Sequence, residues 1–436
     1  MARGKKKETL TPEERLQAAL VPESEQPYKV PENWYWMRGR AFLKPMETKR
    51  PEGEVFRYID IDSIDNKRQQ VTEPKNLQVK DAPSRASRKL RTGDTVFSMV
   101  RPYLMNIAYI DETISNSIAS TGFYVCTPTE NVNSLYLYYL MTSPYTVDGL
   151  NRYMKGDNSP SIRKDDIENY VYPIPPLPEQ QRIVDRIESL FAKLDEAKQK
   201  AQDTLDSFET RKAAILHKAF TGELTAQWRK GHGVGMESWE NKELWQLAKE
   251  IKAGGDKPDD FTEEADETHN IPVVANGVVD EGIIGYTATA RFSGETVTVA
   301  GRGTIGFSVY RTYAFFPIVR LIVIQPKDFV KAAYIKYAFD AFPESGTGSS
   351  IPQLTVPMVK EKVIPLPKLD EQVEIIRILD ALLAKEQQAK EAAEGVLEQI
   401  DLIKKAILAR AFRGELGTND PSEESAVELV KRALSN

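Results

Sequence analysis

The sequence predicts an α+β protein made by internal duplication: two globular parts of mixed helix and strand, joined by an antiparallel coiled coil of two long helices and related by a pseudo-two-fold repeat. Three observations carry this. The chain matches itself at a constant offset, the matched stretches hold a heptad-like apolar stripe, and each stripe is preceded by strand-like runs that end in prolines.

The self-match aligns residues 179–224 with 371–416 without a gap, at an offset of 192, and 19 of the 46 positions are identical, far above chance. Before each copy stands a proline-rich run, Val171-Tyr172-Pro173-Ile174-Pro175-Pro176-Leu177-Pro178 and Val363-Ile364-Pro365-Leu366-Pro367. Prolines forbid helix there and end the preceding domain sharply. Upstream the match continues with small gaps: Gly93-Asp94-Thr95-Val96 with Arg101 parallels Gly294-Glu295-Thr296-Val297 with Arg302, and Trp34 parallels Trp239.

Within the first helical copy, Ile183, Ile187, Leu190, Leu205 and Phe208 recur at steps that fit a heptad seam; Ile375, Leu379, Leu382, Leu397 and Ile400 do the same in the second. Alanines 197 and 201, with 389 and 393, are expected in mid-seam, where small side chains let helices approach closely. A continuous helix over 179–220 would be about 63 Å long. Gly222 and Gly414 sit where left-handed C-caps are expected. Long amphipathic helices packed only on their own globular neighbours are the alternative; paired antiparallel, the two helices would instead act as a ruler.

In the globular parts, β-branched runs at 94–100, 121–126, 296–300 and 318–324 read as strands, and 134–142 and 330–339 as helices. Tyr136, Tyr138, Tyr139, Tyr334 and Tyr337 on those helices read as packing residues. The expected division is an N-terminal arm with a short helix (1–26), a first globular domain (27–178), a helical region with linker (179–232), a second globular domain (233–370), a second helical region (371–416) and a tail with a short helix (417–436).

The net charge of −6 gives no bulk sign of a nucleic-acid partner, so any such surface must come from local sorting of charges. One cysteine, Cys126, and three histidines leave no Cys/His zinc site of usual spacing. The basic N-terminus runs into polar sequence, with no signal peptide or membrane span, and the expected compartment is the cytoplasm. No phosphate loop, nucleophile elbow, paired-cysteine motif or cofactor-binding βαβ unit is found; Gly301-Arg302-Gly303-Thr304-Ile305-Gly306 lacks the Lys-Ser/Thr of a phosphate loop. The chain is therefore expected to catalyse nothing alone and to need no cofactor of its own.

Two variable globular parts, each closed by a Pro-Leu-Pro-like run, then Glu-Gln, a long helix and Ala-Phe-x-Gly-Glu-Leu at 219–224 and 411–416, resemble the specificity subunit of type I restriction–modification enzymes. The resemblance implies two target-recognition domains, each reading half of a bipartite, asymmetric duplex DNA sequence, and a coiled coil that fixes the spacer. It also implies two modification subunits that methylate adenine N6 with S-adenosylmethionine, and restriction/translocase subunits that use ATP and Mg²⁺. Two readers on one face of B-DNA sit about 34 Å apart per helical turn, a spacing such a helix can supply.

The candidate DNA contacts are Arg101 and Arg302, placed equivalently after the matched strands, followed by Lys155, Asn158, Ser159, Arg163, Thr304, Ser349, Ser350 and Gln353 in polar loops at 155–164 and 346–353. Backbone amides and hydroxyls in such loops suit phosphate contact; salt bridges at strand ends and ordinary surface loops are the competing readings. For partner docking the candidates are Phe220, Gly222, Glu223 and Leu224 with Phe412, Gly414, Glu415 and Leu416, which match although outside the seam period. The terminal helices are expected to pack on the coiled coil or a partner. Two rival functions stay open: a coiled-coil scaffold displaying protein-binding domains, and a single-chain methyltransferase, which the absent motifs disfavour.

Overall fold

A computed structural model describes residues 20–343 and 353–428, with Gln17 and Lys431 besides. The chain forms two compact units: residues 1–200 with 396–436, and residues 201–395. The boundary thus falls inside both long helices, so each unit contains part of each.

The two units repeat one plan. In the first, a four-stranded sheet runs in the order Lys75–Gln78, Val55–Ile59, Ile118–Ser120, Ala86–Lys89, and a three-stranded sheet places Thr95–Ser98 between Phe123–Cys126 and Ile107–Tyr109. In the second, Thr296–Val299 pairs with Ser308–Arg311 and Ile322–Pro326, with Ala248–Ala253 added at the edge; Ile283–Thr287, Ile271–Val274 and Phe316–Pro317 make the other sheet. One parallel pairing recurs in each, Tyr58 opposite Ile118 and Val273 opposite Phe316. The central strands read TVFS and TVTV and are buried along their whole length.

Expected strands at 94–100, 121–126 and 296–300 are present, slightly shortened. The run 318–324 is not one strand. Val319 and Arg320 adopt positive φ (30° and 65°), and the strand begins only at Ile322. Tertiary bonds decide this: Val319 donates its amide to the Gly255 carbonyl and accepts from the Asn276 side chain.

Each helix after the central sheet, Ser134–Thr142 and Ala332–Ala341, buries one tyrosine whose hydroxyl bonds the carbonyl of a proline in the closing strand: Tyr136 to Pro173 at 2.8 Å and Tyr334 to Pro365 at 2.6 Å. The closing strands pair antiparallel with the strand that opens their repeat, Tyr35–Arg38 with Val171–Ile174 and Glu240–Glu243 with Val363–Leu366.

The Glu-Gln pair that starts each long helix is a latch. Gln180 accepts from the Asn133 amide and donates to the Asn131 and Pro175 carbonyls; Gln372 accepts from the Lys331 amide and donates to Phe329 and Pro367. Glu179 and Glu371 are fully buried and bind the chain that follows the opposite helix. Glu371 receives Thr225 Oγ1 and Arg229 at 2.6 Å each and Trp239 Nε1 at 3.0 Å. Glu179 receives Thr418 Oγ1 at 2.8 Å and Arg182 at 2.7 Å, and burial pushes its carboxyl above the usual range.

The helices pair antiparallel within each unit. In the first, Asp195 meets Lys404 while Glu179, at the start of its helix, meets Thr418 past the end of the other, one number rising as the other falls, and Arg182 binds Glu423 in the same tail. In the second, Lys390 lies over Phe208, Arg211 meets Glu386 and Arg229 meets Glu371. Of the expected seam, Ile183, Ile187, Phe208, Ile375, Leu379 and Ile400 are buried; Leu190, Leu205, Leu382 and Leu397 are half-buried. Ala201 and Ala393 are buried in the seam, whereas Ala389 is exposed, because the register there passes through Glu386 and Lys390.

The first helix is not continuous. It is split into Leu177–Asp206 and Phe208–Phe220 at Ser207, whose hydroxyl bonds back to the Asp203 carbonyl, a back-bond that bends helices. The second runs unbroken over Leu369–Ala411. Beyond the first, Ala226–His232 is a further short helix where a linker was expected. The N-terminal arm's expected helix start lies outside the described residues. The tail packs within the first unit: the Ala426 amide bonds the Asn33 carbonyl, Arg182 binds Glu423, and Ala426 and Val427 are buried.

Candidate nucleic-acid interface

In the first unit, the hairpin that joins Thr95–Ser98 to Ile107–Tyr109 carries Arg101 in a left-handed conformation (φ 48°, ψ 58°). Its amide donates to the Pro160 carbonyl at 2.8 Å and its guanidinium to the Asn158 carbonyl at 2.7 Å. The loop it touches closes on itself through paired bonds between Lys155 and Ser161, 3.0 Å each way, and is tied to the hairpin by the Ile162 amide on Met99. Arg101, Lys155, Asn158 and Ser159 are therefore brought together on one exposed surface. Arg163 follows in sequence, exposed at the start of the helix Lys164–Asn169, with its amide bound to Asp166.

Beside them opens a cleft of about 570 Å³ that Arg85, Arg101 and Ser159 line together with Asp60 and Asp62. Asp60 is paired with Lys75 and Ser63; although burial alone would raise its carboxyl, these partners hold it below the usual range. Cations, amides and a free carboxylate in one cleft can serve phosphate contact and base-edge reading alike.

In the second unit, Arg302 follows its strand by three positions, as Arg101 does (299 to 302, 98 to 101). It is half-buried, and its Nε is sheltered from solvent without a hydrogen-bond partner among the described residues. Thr304 is exposed nearby on the same hairpin. Gln353 accepts from Arg320 at 2.7 Å. Ser349 and Ser350 lie outside the described residues.

Sequence reading missed Asn276 and Arg320. Asn276 spans two loops, its Oδ1 receiving the Gly301 amide at 2.8 Å and its Nδ2 binding the Val319 carbonyl at 2.7 Å. A Cβ on Gly301 would lie 2.6 Å from the Arg320 carbonyl oxygen, which accounts for glycine there. Arg320 was hidden inside an apolar β-branched run; its charge there was the one available signal. Arg311 is fully buried and holds Thr298, Tyr313 and the Glu281 carbonyl, so it supports the hairpin instead of facing a ligand.

The docking candidates separate. Phe220 is buried against Tyr334 and Phe342, and Phe412 against Tyr136, so both are core residues unavailable to a partner. Gly222 and Gly414 take the left-handed cap conformation (φ 79° and 75°), as capping alone requires. Leu224 and Leu416 are half-buried against the same cores. Glu223 and Glu415 are exposed. Cys126 is buried, which raises its thiol well above the ordinary range. Among the described residues no cluster of His, Cys, Asp or Glu is placed to hold a metal ion, and no helix is long and apolar enough to cross a membrane.

The profile of the type I restriction modification DNA specificity domain matches twice, over residues 38–205 and 236–395. A putative type I specificity subunit from Mycoplasma pneumoniae is 35% identical over 178 residues, 40% of this chain and 52% of the relative. The chain spans about half the length of that relative. The EcoKI specificity subunit of Escherichia coli K12 is 22% identical over 432 residues, covering 89% of this chain and 90% of its own. Among solved structures, the HsdS subunit of Thermoanaerobacter tengcongensis aligns with a TM-score of 0.69 at 25% identity, covering 90% of this chain and all of that one. A chain described in work on complex assembly and conformational transition of the type I R-M system aligns at 0.73 and 26%, covering 89% of this chain and all of that one. With the profile laid over both repeats and the same plan of sheets, latch and paired helices in each, the chain belongs to the type I restriction–modification DNA specificity family.

Proposed function

We propose that this chain is the sequence-reading, non-catalytic subunit of a cytoplasmic type I restriction–modification complex, with each unit reading one half of a bipartite, asymmetric duplex target. The observation that carries the reading is the recurrence, in both units, of a hairpin with an arginine three positions past a buried central strand, which in the first unit is bonded to a polar loop. Phosphate contact would fall to Lys155, Ser159, Arg163 and Thr304, and base-edge reading to Arg101, Arg302, Asn158 and Gln353, since arginine and amide side chains match base edges in pairs. The partners are two modification subunits that transfer methyl groups from S-adenosylmethionine to adenine N6, and restriction/translocase subunits driven by ATP with Mg²⁺. A net charge of −6 fits a subunit whose partners supply much of the phosphate neutralisation. Exposed Glu223 and Glu415, at equivalent helix ends, are the docking positions retained for the modification subunits.

Purified with its modification partner, the chain should bind duplex DNA with sequence preference and with a log–log salt slope of about −0.9 per phosphate neutralised. Binding insensitive to both salt and sequence would contradict the reading.

A further inference from the structure

The hairpin tip of the first unit carries strain that the fold does not require. Arg101 and Met105, neither of them glycine, both adopt left-handed backbone (φ 48° and 56°) and bracket a single 3-10 turn, Pro102–Leu104. For L-residues that conformation is unfavourable, and it persists where the surroundings over-determine it, commonly at functional sites. Pro102 is buried and anchors the turn; its two followers are turned outward, Tyr103 at 48% exposure and Leu104 at 39%. The corresponding hairpin of the second unit shows that the connection can be made otherwise: it has glycines at 301, 303 and 306 and exposes Thr304. Two consecutive apolar side chains at the first tip are therefore not a condition of folding.

Their neighbourhood identifies what they meet. Arg101 itself and the loop bonded to it, with Lys155, Asn158 and Ser159, surround the tip with cationic and amide groups, and the carboxylate of Asp60 in the adjoining cleft is paired with Lys75. An apolar point flanked by the cations Arg85, Arg101 and Lys155, with Asp62 in the adjoining cleft as a carboxylate able to accept from a base amino group, complements duplex DNA, with phosphates at the rim and an apolar base stack within. We infer that Tyr103, backed by Leu104, is a wedge that enters between stacked base pairs of the half-site read by the first unit. It would contribute specificity through deformability and favour a flexible pyrimidine–purine step at that point. This rests on the reading of the first unit as a DNA reader.

The test uses the full chain purified with its modification subunits, on duplexes carrying the target found by mapping methylated adenines. 2-Aminopurine, which pairs with thymine, replaces each adenine in turn on either strand of the first unit's half-site and its flanks, leaving the methylated adenine intact. The parent complex should raise fluorescence several-fold at one step. Tyr103→Ala should abolish that rise and weaken specific binding about tenfold, while Tyr103→Phe keeps both; an unchanged circular dichroism spectrum and denaturation midpoint for Tyr103→Ala would show that the fold is intact. Sequence-specific binding with no fluorescence rise at any step, or a rise that survives Tyr103→Ala, overturns the wedge and leaves the DNA reading standing. Absence of any sequence-specific binding overturns both.

Discussion

Replacing Glu371 by alanine should be among the most damaging single changes in the second unit. Its side chain is 2% exposed and that of Arg229 9%, with 2.6 Å between them. Alanine would leave the Arg229 cation buried beside the Gly222 carbonyl, with no counter-charge, and would remove the acceptor of Thr225 and Trp239. Breaking one side of a buried pair costs about 3–5 kcal/mol. In a unit of about 200 residues each kcal/mol moves the midpoint by about 2–4 °C, so the second unit should melt about 6–20 °C lower. By contrast Glu196→Ala breaks a pair with both partners mostly exposed (74% and 67%), where solvent screens the attraction, and should leave the midpoint almost unmoved. The double variant Arg229→Met with Glu371→Leu, which removes both charges, should recover most of the loss. Urea denaturation followed by circular dichroism and tryptophan fluorescence gives all four numbers. If Glu371→Ala lies within about 1 kcal/mol of the parent, the latch is not what holds the linker to the helix.

Tyr136→Phe should cost about 1–3 kcal/mol, because the buried Pro173 carbonyl loses its 2.8 Å donor, and the same denaturation assay reads it. Gly414→Ala should cost at least about 1–2 kcal/mol, because the residue is left-handed and a Cβ would lie 2.5 Å from the Pro31 ring; a neutral result would mean that Pro31 moves freely. Glu47 is held near pH 2, first by its bond to Arg91 and then by Lys89, against an ordinary 4.5. Because the folded value is the lower one, its stabilising contribution is present above about pH 4.5 and is lost as pH falls toward 2, and a carbon-13 NMR titration should place the carboxyl midpoint near 2, not 4.5.

Periodic features were legible in the sequence. Ile183, Ile187, Ile375 and Leu379 declared themselves by spacing, and the equivalence of Arg101 with Arg302 followed from the matched strands before them. Features made by contacts far apart in the chain were not. Glu179-Gln180 could be seen to recur as Glu371-Gln372, but that each glutamine binds loop carbonyls and an amide about forty to fifty residues upstream is a property of the folded unit. Phe220 and Phe412 recurred for the same reason as the seam, core packing, and fell outside its period because they cover the globular cores. The turn at Val319 and Arg320 was hidden by β-branched neighbours, since local propensity there yields to the Gly255 and Asn276 bonds.

The proposed independence of the two readers, each acting on its own half of one target, is open to direct test. Residues 27–178 can be exchanged for the corresponding part of another family member, with the rest of the chain kept, and methylated adenines mapped across the genome of a host that also expresses the modification subunit. A new sequence in one half of the target and an unaltered sequence in the other is expected. A target changed in both halves would mean that the two units do not read separately.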